Sequence, residues 1–354
     1  MKILISTLLL LVTAAFVSAQ SGRNKPNETP TPTPATRSAT GYIPTEAKLP
    51  TSLPTPTPKP KDDPDIITVD SALVPIPVSV TDASGRSVTN LKLVDFELQI
   101  DGKPAEISEL TRSDSPIRLA MIFDNSSSVM IAREFEKEAA VRFFKRVIRP
   151  GGDQAALFSL SDYTRLEQPL TRDVSLLTQA IRMFPEPKGA TALLDGIVKV
   201  AEYLKAAEGR RVVVIVSDGE DTYSDIKTTL ESVIKELQIA NCQVYVVKTK
   251  EFENFKRTGL RGGNANIRSL TAERRMLELA AQTGGAVYSP IDEDEMNAAF
   301  SQISAELSQQ YILSYYPDDD GKNTSDLRLI SLSIKGKPNF TVRTRKGYYV
   351  GKRP

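Results

Sequence analysis

The sequence predicts an α/β fold. A doubly wound, mostly parallel sheet occupies residues 116–310, and β segments on either side form a small β-sandwich-like domain. Short runs such as L-A-M-I-F, A-A-L-F-S-L, V-V-V-I-V, C-Q-V-Y-V-V and G-A-V-Y-S are apolar almost throughout, as strands buried on both faces are. Segments of helical period separate these runs. Before residue 116 and after residue 310, apolar residues alternate with polar ones instead.

The elements follow in chain order. Lys2, the apolar run from Ile3 to Phe16 and the small residues Val17-Ser18-Ala19 read as a signal peptide over residues 1–19. The expected location is therefore secreted, periplasmic or extracellular. No later stretch is long and apolar enough to span a bilayer, so no transmembrane segment is expected after cleavage. Residues 20–65 carry T-P-T-P-T-P and L-P-T-P-T-P-K-P, a Pro/Thr-rich linker with too few apolar residues for a core. The N-terminal β segment, 66–115, holds the alternating V-P-I-P-V-S-V-T and F-E-L-Q-I, with turn signals at D-A-S-G and Asp101-Gly102.

Within 116–310 a helix follows the first apolar strand, with Phe135, Ala139, Ala140, Phe143, Phe144, Val147 and Ile148 on one face. It stops at Pro150-Gly151. Further helices are expected over about 173–184, 192–207, 225–239, 271–283 and 293–309. T-R-L-E-Q-P-L-T follows its predecessor after a very short turn, so it pairs antiparallel, on an edge where Pro169 is tolerated. Residues 256–268 read as a basic, glycine-rich surface loop. The C-terminal β segment, 311–354, returns to strands.

Composition removes several functions. The chain of 354 residues contains no histidine, which excludes Ser-His-Asp and Cys-His catalysis and imidazole-ligated zinc. Its one cysteine, Cys242, forms no intrachain disulfide. A net charge of +1 gives no global field toward nucleic acid.

The chemistry concentrates where strands end. L-A-M-I-F runs into Asp124, then Asn125, Ser126, Ser127 and Ser128; V-V-V-I-V runs into Ser217 and Asp218. Open α/β sheets collect ligands at the carboxyl ends of their strands. Ser126 and Ser128, two apart, point the same way in an extended loop. Asp124, Ser126, Ser128 and Asp218 then form an all-oxygen set suited to Mg²⁺, Mn²⁺ or Ca²⁺. Thr191, just before an apolar-periodic helix, fits either a helix N-cap or a further oxygen donor. Two carboxylates balance one divalent cation and leave it able to accept a carboxylate from another molecule. Glu220, Asp221 and Asp225 read as a solvated loop and helix start.

D-x-S-x-S at 124–128, Thr191 after a glycine, and S-D-G at 217–219 together resemble the metal-ion-dependent adhesion site (MIDAS) of von Willebrand factor A domains. The resemblance covers about 116–310. V-S-V-T-D at 78–82 and R-T-R-K-G-Y-Y at 343–349 further resemble a bacterial secreted subset of that family, of Acidobacteria type. It implies a Rossmann-like sheet and a metal held by Asp124, Ser126, Ser128, Thr191 and Asp218. Ser126 and Ser128 would bind it directly, Thr191 in an open state, and Asp124 and Asp218 largely through water. The partner is a protein offering an Asp or Glu carboxylate, the role adhesion or complex assembly, with no catalysis. The resemblance also implies that a shift of the helix at about 293–309 couples the metal site to the β flanks.

Two other functions fit less of the sequence. A structural component of a cell-envelope complex would keep the fold with a vestigial metal site. A Mg²⁺-dependent phosphoryl-transfer enzyme would use Asp124 as nucleophile, but such sites want a second acid two residues on, and this chain has Ser126.

Overall fold

The computed structural model describes residues 73–112, 115–127, 133–261, 266–317 and 327–349. The expected signal peptide and linker, and Ser128 of the candidate site, lie outside the described residues.

The first flank supplies β1 (Val74–Thr81), a 3-10 turn (Leu93–Asp95), β2 (Phe96–Ile100), β3 (Lys103–Ala105) and β4 (Glu109–Arg112). The next part is α/β: β5 (Ile117–Asp124), α1 (Arg133–Val147), β6 (Gln154–Leu160), β7 (Thr164–Thr171), α2 (Val174–Arg182), α3 (Leu193–Lys205) and β8 (Arg210–Ser217). It continues through α4 (Leu230–Ile239), β9 (Cys242–Lys248), α5 (Lys250–Thr258), α6 (Ile267–Thr283), β10 (Val287–Tyr288) and α7 (Glu293–Gln309). The second flank supplies β11 (Tyr311–Tyr315), β12 (Leu327–Ile334), β13 (Thr341–Thr344) and β14 (Gly347–Tyr349).

The central sheet has six strands in the order β10-β9-β8-β5-β6-β7. All its pairs are parallel except β6–β7, so β7 forms an antiparallel edge. Period two divides β5 between the two faces. Leu119, Met121 and Phe123 join the layer of α1, α2 and α7, and Ala120 and Ile122 join that of α3, α4 and α6. The chain leaves β5 toward β6 on one side and returns as β8 on the other. The switch point of the sheet therefore lies between β5 and β8.

The flanks make two further four-stranded sheets, β13-β1-β11-β4 and β14-β12-β2-β3. Each sheet takes strands from both ends of the chain, so neither flank builds one alone. Their inner faces share one core that includes Ile76, Val78, Phe96, Leu98, Tyr311, Leu313, Ile330 and Tyr348. The β2–β3 hairpin turns on Asp101 (φ 51°) and Gly102 (φ 77°), the positive-φ pair that a two-residue turn demands. Pro75 and Pro77 sit in the half of β1 that pairs with β11, beyond its β13 register, so no ladder donor is lost on that side.

Three expectations are corrected. Residues 250–258 form a helix, which the sequence hides because Phe252 and Phe255 are the only strongly apolar residues in a charged run. As a result, the expected loop at 256–268 shrinks to a shorter connection between α5 and α6. The helix expected from 225 begins at Leu230. Asp225 accepts from Lys227 N at 2.8 Å in a local turn, and Thr229 caps the helix through Ser232 N.

Candidate metal centre

β5 and β8 are hydrogen-bonded neighbours, with Phe123 opposite Val216, so Asp124 and Ser217-Asp218 emerge side by side at the switch point. Both acids are buried, Asp124 1% and Asp218 2% exposed. Asp124 Oδ1 accepts from Ser126 N at 2.9 Å, and Oδ2 accepts from Ser217 Oγ at 2.6 Å. Asp218 Oδ1 accepts from Glu220 N at 2.9 Å, while Oδ2 is buried with no hydrogen-bond partner. Lys250 Nζ stands 3.9 Å from that oxygen but bonds Glu220 at 2.9 Å, so its ion pair with Asp218 is the longer and weaker one. Burial, and then the charge of Asp218, push the Asp124 carboxyl up to about 6.

Loops from four element ends pin the site. Asn125 N donates to Leu160 O at the end of β6, Lys188 N donates to Asn125 O, and Arg133 of α1 bonds the Asn125 side chain. Ser127 Oγ donates to Gly189 O at 3.1 Å. Thr191 is buried, and its carbonyl accepts from Thr222 N at 2.8 Å and Tyr223 N at 3.0 Å. Thr191 N in turn donates to Thr222 Oγ1 at 3.0 Å. Thr191 is not the helix cap. Ala192 occupies that position without a side-chain bond, and Asp221 does the capping from another loop. Its Oδ1 accepts from Leu193 N at 2.9 Å and from Ser224 Oγ at 2.6 Å. Asp221 is thus a half-buried strut between the β8 loop and α3, which corrects its reading as solvated.

Of the five expected donors, then, Asp124, Ser126, Thr191 and Asp218 lie on loops tied to one another at one edge. Among the described residues no group of three or more acidic, cysteine or histidine side chains is placed to hold a metal. The donors here number two carboxylates plus hydroxyls. They fit a hard divalent cation, because Asp218 Oδ2, which has no hydrogen bond and only the long Lys250 ion pair, and the raised Asp124 carboxyl both mark negative charge that the protein offsets only in part.

Sequence reasoning missed what lies beneath. Glu136 of α1 is fully buried with Oε1 unpartnered, and burial and then the charge of Glu253 push its carboxyl well up. Thr249, whose N donates to Ser217 O at 3.0 Å, buries an unpartnered hydroxyl. The signal for Glu136 was present in its helical register with Ala140, Phe143 and Val147, a core position.

The fold and this edge define a doubly wound α/β domain with its polar cluster at the switch point. Residues 119–220 match the family model of the von Willebrand factor type A domain, and the chain contains such a domain. No curated protein matches the sequence. Among solved structures, the chain is similar to the PilB minor pilin from Streptococcus sanguinis, at 14% identity over 55% of this chain and 62% of the pilin, TM-score 0.42. It is also similar to the vWF domain of the type V pili tip protein Mfa5 from Porphyromonas gingivalis, at 13% identity over 54% of this chain and 94% of that domain, TM-score 0.42. A von Willebrand factor type A structure from Catenulispora acidiphila aligns at 11% identity over 77% of this chain and 72% of its own, TM-score 0.45. The chain thus spans less than two thirds of the pilin's length, 62%. Among the described residues no helix is long and apolar enough to cross a membrane.

Proposed function

We propose that the chain is an exported, divalent-cation-dependent protein-binding module for adhesion or complex assembly, with a MIDAS-type site and no catalytic activity. One observation carries the reading. Two buried carboxylates stand together at the sheet's switch point, and Asp218 Oδ2 has no hydrogen-bond partner. A structural acid pair would be satisfied internally. A pair that awaits a cation would not.

The hydroxyls of Ser126, Ser128 and Thr191 would hold the ion, with Asp124 and Asp218 balancing its charge. When bound, Mg²⁺, Mn²⁺ or Ca²⁺ supplies a coordination position for a partner's Asp or Glu carboxylate. Asp124 is kept in place by Ser126 N and Ser217 Oγ. Both of its oxygens are thereby engaged, which suits a fixed countercharge and not a nucleophile.

Calorimetry of Mg²⁺ and Mn²⁺ against the full chain and an Asp124→Ala/Ser126→Ala variant tests this. Binding by the parent and none by a variant with unchanged circular dichroism is expected. Absence of binding by the parent would leave the fold without its chemistry, as in an envelope component with a vestigial site.

A further inference from the structure

Lys250 holds its ammonium beside the acid pair, and the role inferred for it rests on the cation reading just given. Ser217 and Lys248 are register partners at the ends of β8 and β9, and Thr249 N donates to Ser217 O at 3.0 Å. These contacts fix the start of α5 against the loop that carries Asp218. Lys250, the first residue of α5, reaches both acids of that loop. Its Nζ lies 2.9 Å from Glu220 Oε1 and 3.9 Å from Asp218 Oδ2, the buried oxygen that has no hydrogen bond. Among the described residues no other basic side chain pairs with Asp124 or Asp218.

On local grounds the position is a poor one for lysine. A helix start carries partial positive charge and favours acids, and Glu251 and Glu253 follow in the same turn. Thr249 adds no side-chain cap. The helix gains nothing from an ammonium at its first residue; the acids do. The Lys250 side chain keeps 28% exposure, whereas that of Asp218 keeps 1%. The ammonium therefore reaches in from the solvent edge toward a fixed carboxylate. Glu220 gives it a shorter bond away from the metal donors, so Lys250 can give up Asp218 without being left unpaired.

We infer that Lys250 is a tethered counter-ion that competes with a divalent cation for Asp218, and so sets both the affinity and the charge selectivity of the site. Without metal it offsets part of the Asp218 charge. Lys250 yields to a divalent ion, which carries twice its charge, and rests on Glu220. It does not yield to a free monovalent ion, which carries no more charge than the ammonium and lacks its tether.

Calorimetry of Mg²⁺ against the full chain and its Lys250→Met and Lys250→Arg variants tests the competition. Lys250→Met, with circular dichroism unchanged, is expected to bind Mg²⁺ about tenfold more tightly than the parent, and Lys250→Arg to stay close to the parent. Replacing choline chloride by NaCl at equal ionic strength should leave the parent's Mg²⁺ affinity as it was and weaken that of Lys250→Met. A second measurement needs no metal. Urea unfolding in EDTA should show Asp218→Asn gaining more stability in the Lys250→Met background than in the parent, because no ammonium then offsets the charge that is removed. The inference is overturned if Lys250→Met binds Mg²⁺ no more tightly than the parent, if NaCl acts equally on both proteins, or if the two backgrounds gain equally. If neither the parent nor Lys250→Met binds Mg²⁺, the cation reading fails and the competition with it. An intact Mg²⁺ titration with no coupling between Lys250 and Asp218 sinks the role of Lys250 alone.

Discussion

The two ends of the central sheet both bury charge, and they treat it differently. At the amino end, Glu306 of α7 is buried with both oxygens engaged. Oε1 accepts from Ser79 Oγ at 2.6 Å and Tyr245 OH at 2.9 Å, and Oε2 accepts from Arg343 at 2.6 Å. Gln310 adds Ser79 at 2.9 Å, Gln243 at 3.1 Å and Tyr245 at 3.1 Å. This cluster joins the sandwich, through β1 and β13, to α7 and β9. At the carboxyl end, Asp124, Asp218 and Glu136 are buried acids together, with Asp218 and Glu136 each leaving an oxygen unpartnered. A buried polar network that satisfies itself holds elements together. One that leaves acids unmatched is costly until a cation arrives. That contrast sets a self-satisfied polar network at one end against unmatched acids at the other, where the cation site is proposed.

The largest effect should come from breaking the satisfied end. Glu306→Ala leaves Arg343 without its ion pair and strips Ser79 and Tyr245 of an acceptor. Losing one member of a buried pair costs about 3–5 kcal/mol, and because Arg343 keeps some solvent exposure the lower figure, about 3 kcal/mol, is expected. Urea unfolding measures it. Glu306→Gln keeps an acceptor and should cost less. A neutral result for Glu306→Ala would remove the distinction between the two ends.

Asp218→Asn tests the other end and has the opposite sign. Without metal, the variant should be more stable than the parent by about 1 kcal/mol at pH 7, because one of two like charges is gone. The pH dependence follows from Asp124, whose carboxyl is raised to about 6. A carboxyl raised by folding favours the folded state while protonated. That contribution is whole below about pH 4 and is lost as the pH rises through about 6. The variant's advantage in EDTA should therefore be larger at pH 7 than at pH 4. Mg²⁺ should raise the melting temperature of the parent and leave that of the variant unmoved. Equal metal responses would mean that the acids are not a cation site.

A smaller effect should follow from Asp221→Ala, which is not among the residues expected to hold the metal. It removes the acceptor for Leu193 N and Ser224 Oγ and should cost about 1 kcal/mol as a lost helix cap. Because the same loop holds the backbone of Thr191, Mg²⁺ affinity should fall with it. A change in stability with unaltered metal affinity would separate Thr191 from the site.

Much of this was legible in the sequence for a specific reason. Parallel strands buried on both faces announce themselves as apolar runs, and Pro169 in a charged strand marks the sheet edge. The acids at strand ends follow from the runs themselves. What stayed hidden depended on distant partners or on charge overriding pattern. Asp221 caps a helix that begins 28 residues before it, and no local signal shows this. Glu306 reads as an ordinary helix acid until Ser79, 227 residues away, is placed beside it. α5 failed to register because a short helix rich in Lys and Glu carries too few apolar residues to show a period.

The finest test of the comparison is the lone thiol. Cys242 begins β9 next to Gln243, which bonds Gln310 in the satisfied cluster. Burial pushes its thiol up to about 12, so at pH 8 the folded protein presents almost no thiolate. Labelling by a disulfide reagent must then pass through opening of the amino end of the sheet, and its rate reports the free energy of that opening. Metal-free parent and Asp218→Asn proteins should label at nearly the same slow rate if the carboxyl end opens separately. Glu306→Ala should label faster, because the bonds that hold α7 and the sandwich over β9 are gone. If Asp218→Asn changed the rate as much as Glu306→Ala does, the two ends would be one cooperative unit, and the strain of the unmatched acids would be borne by the whole sheet.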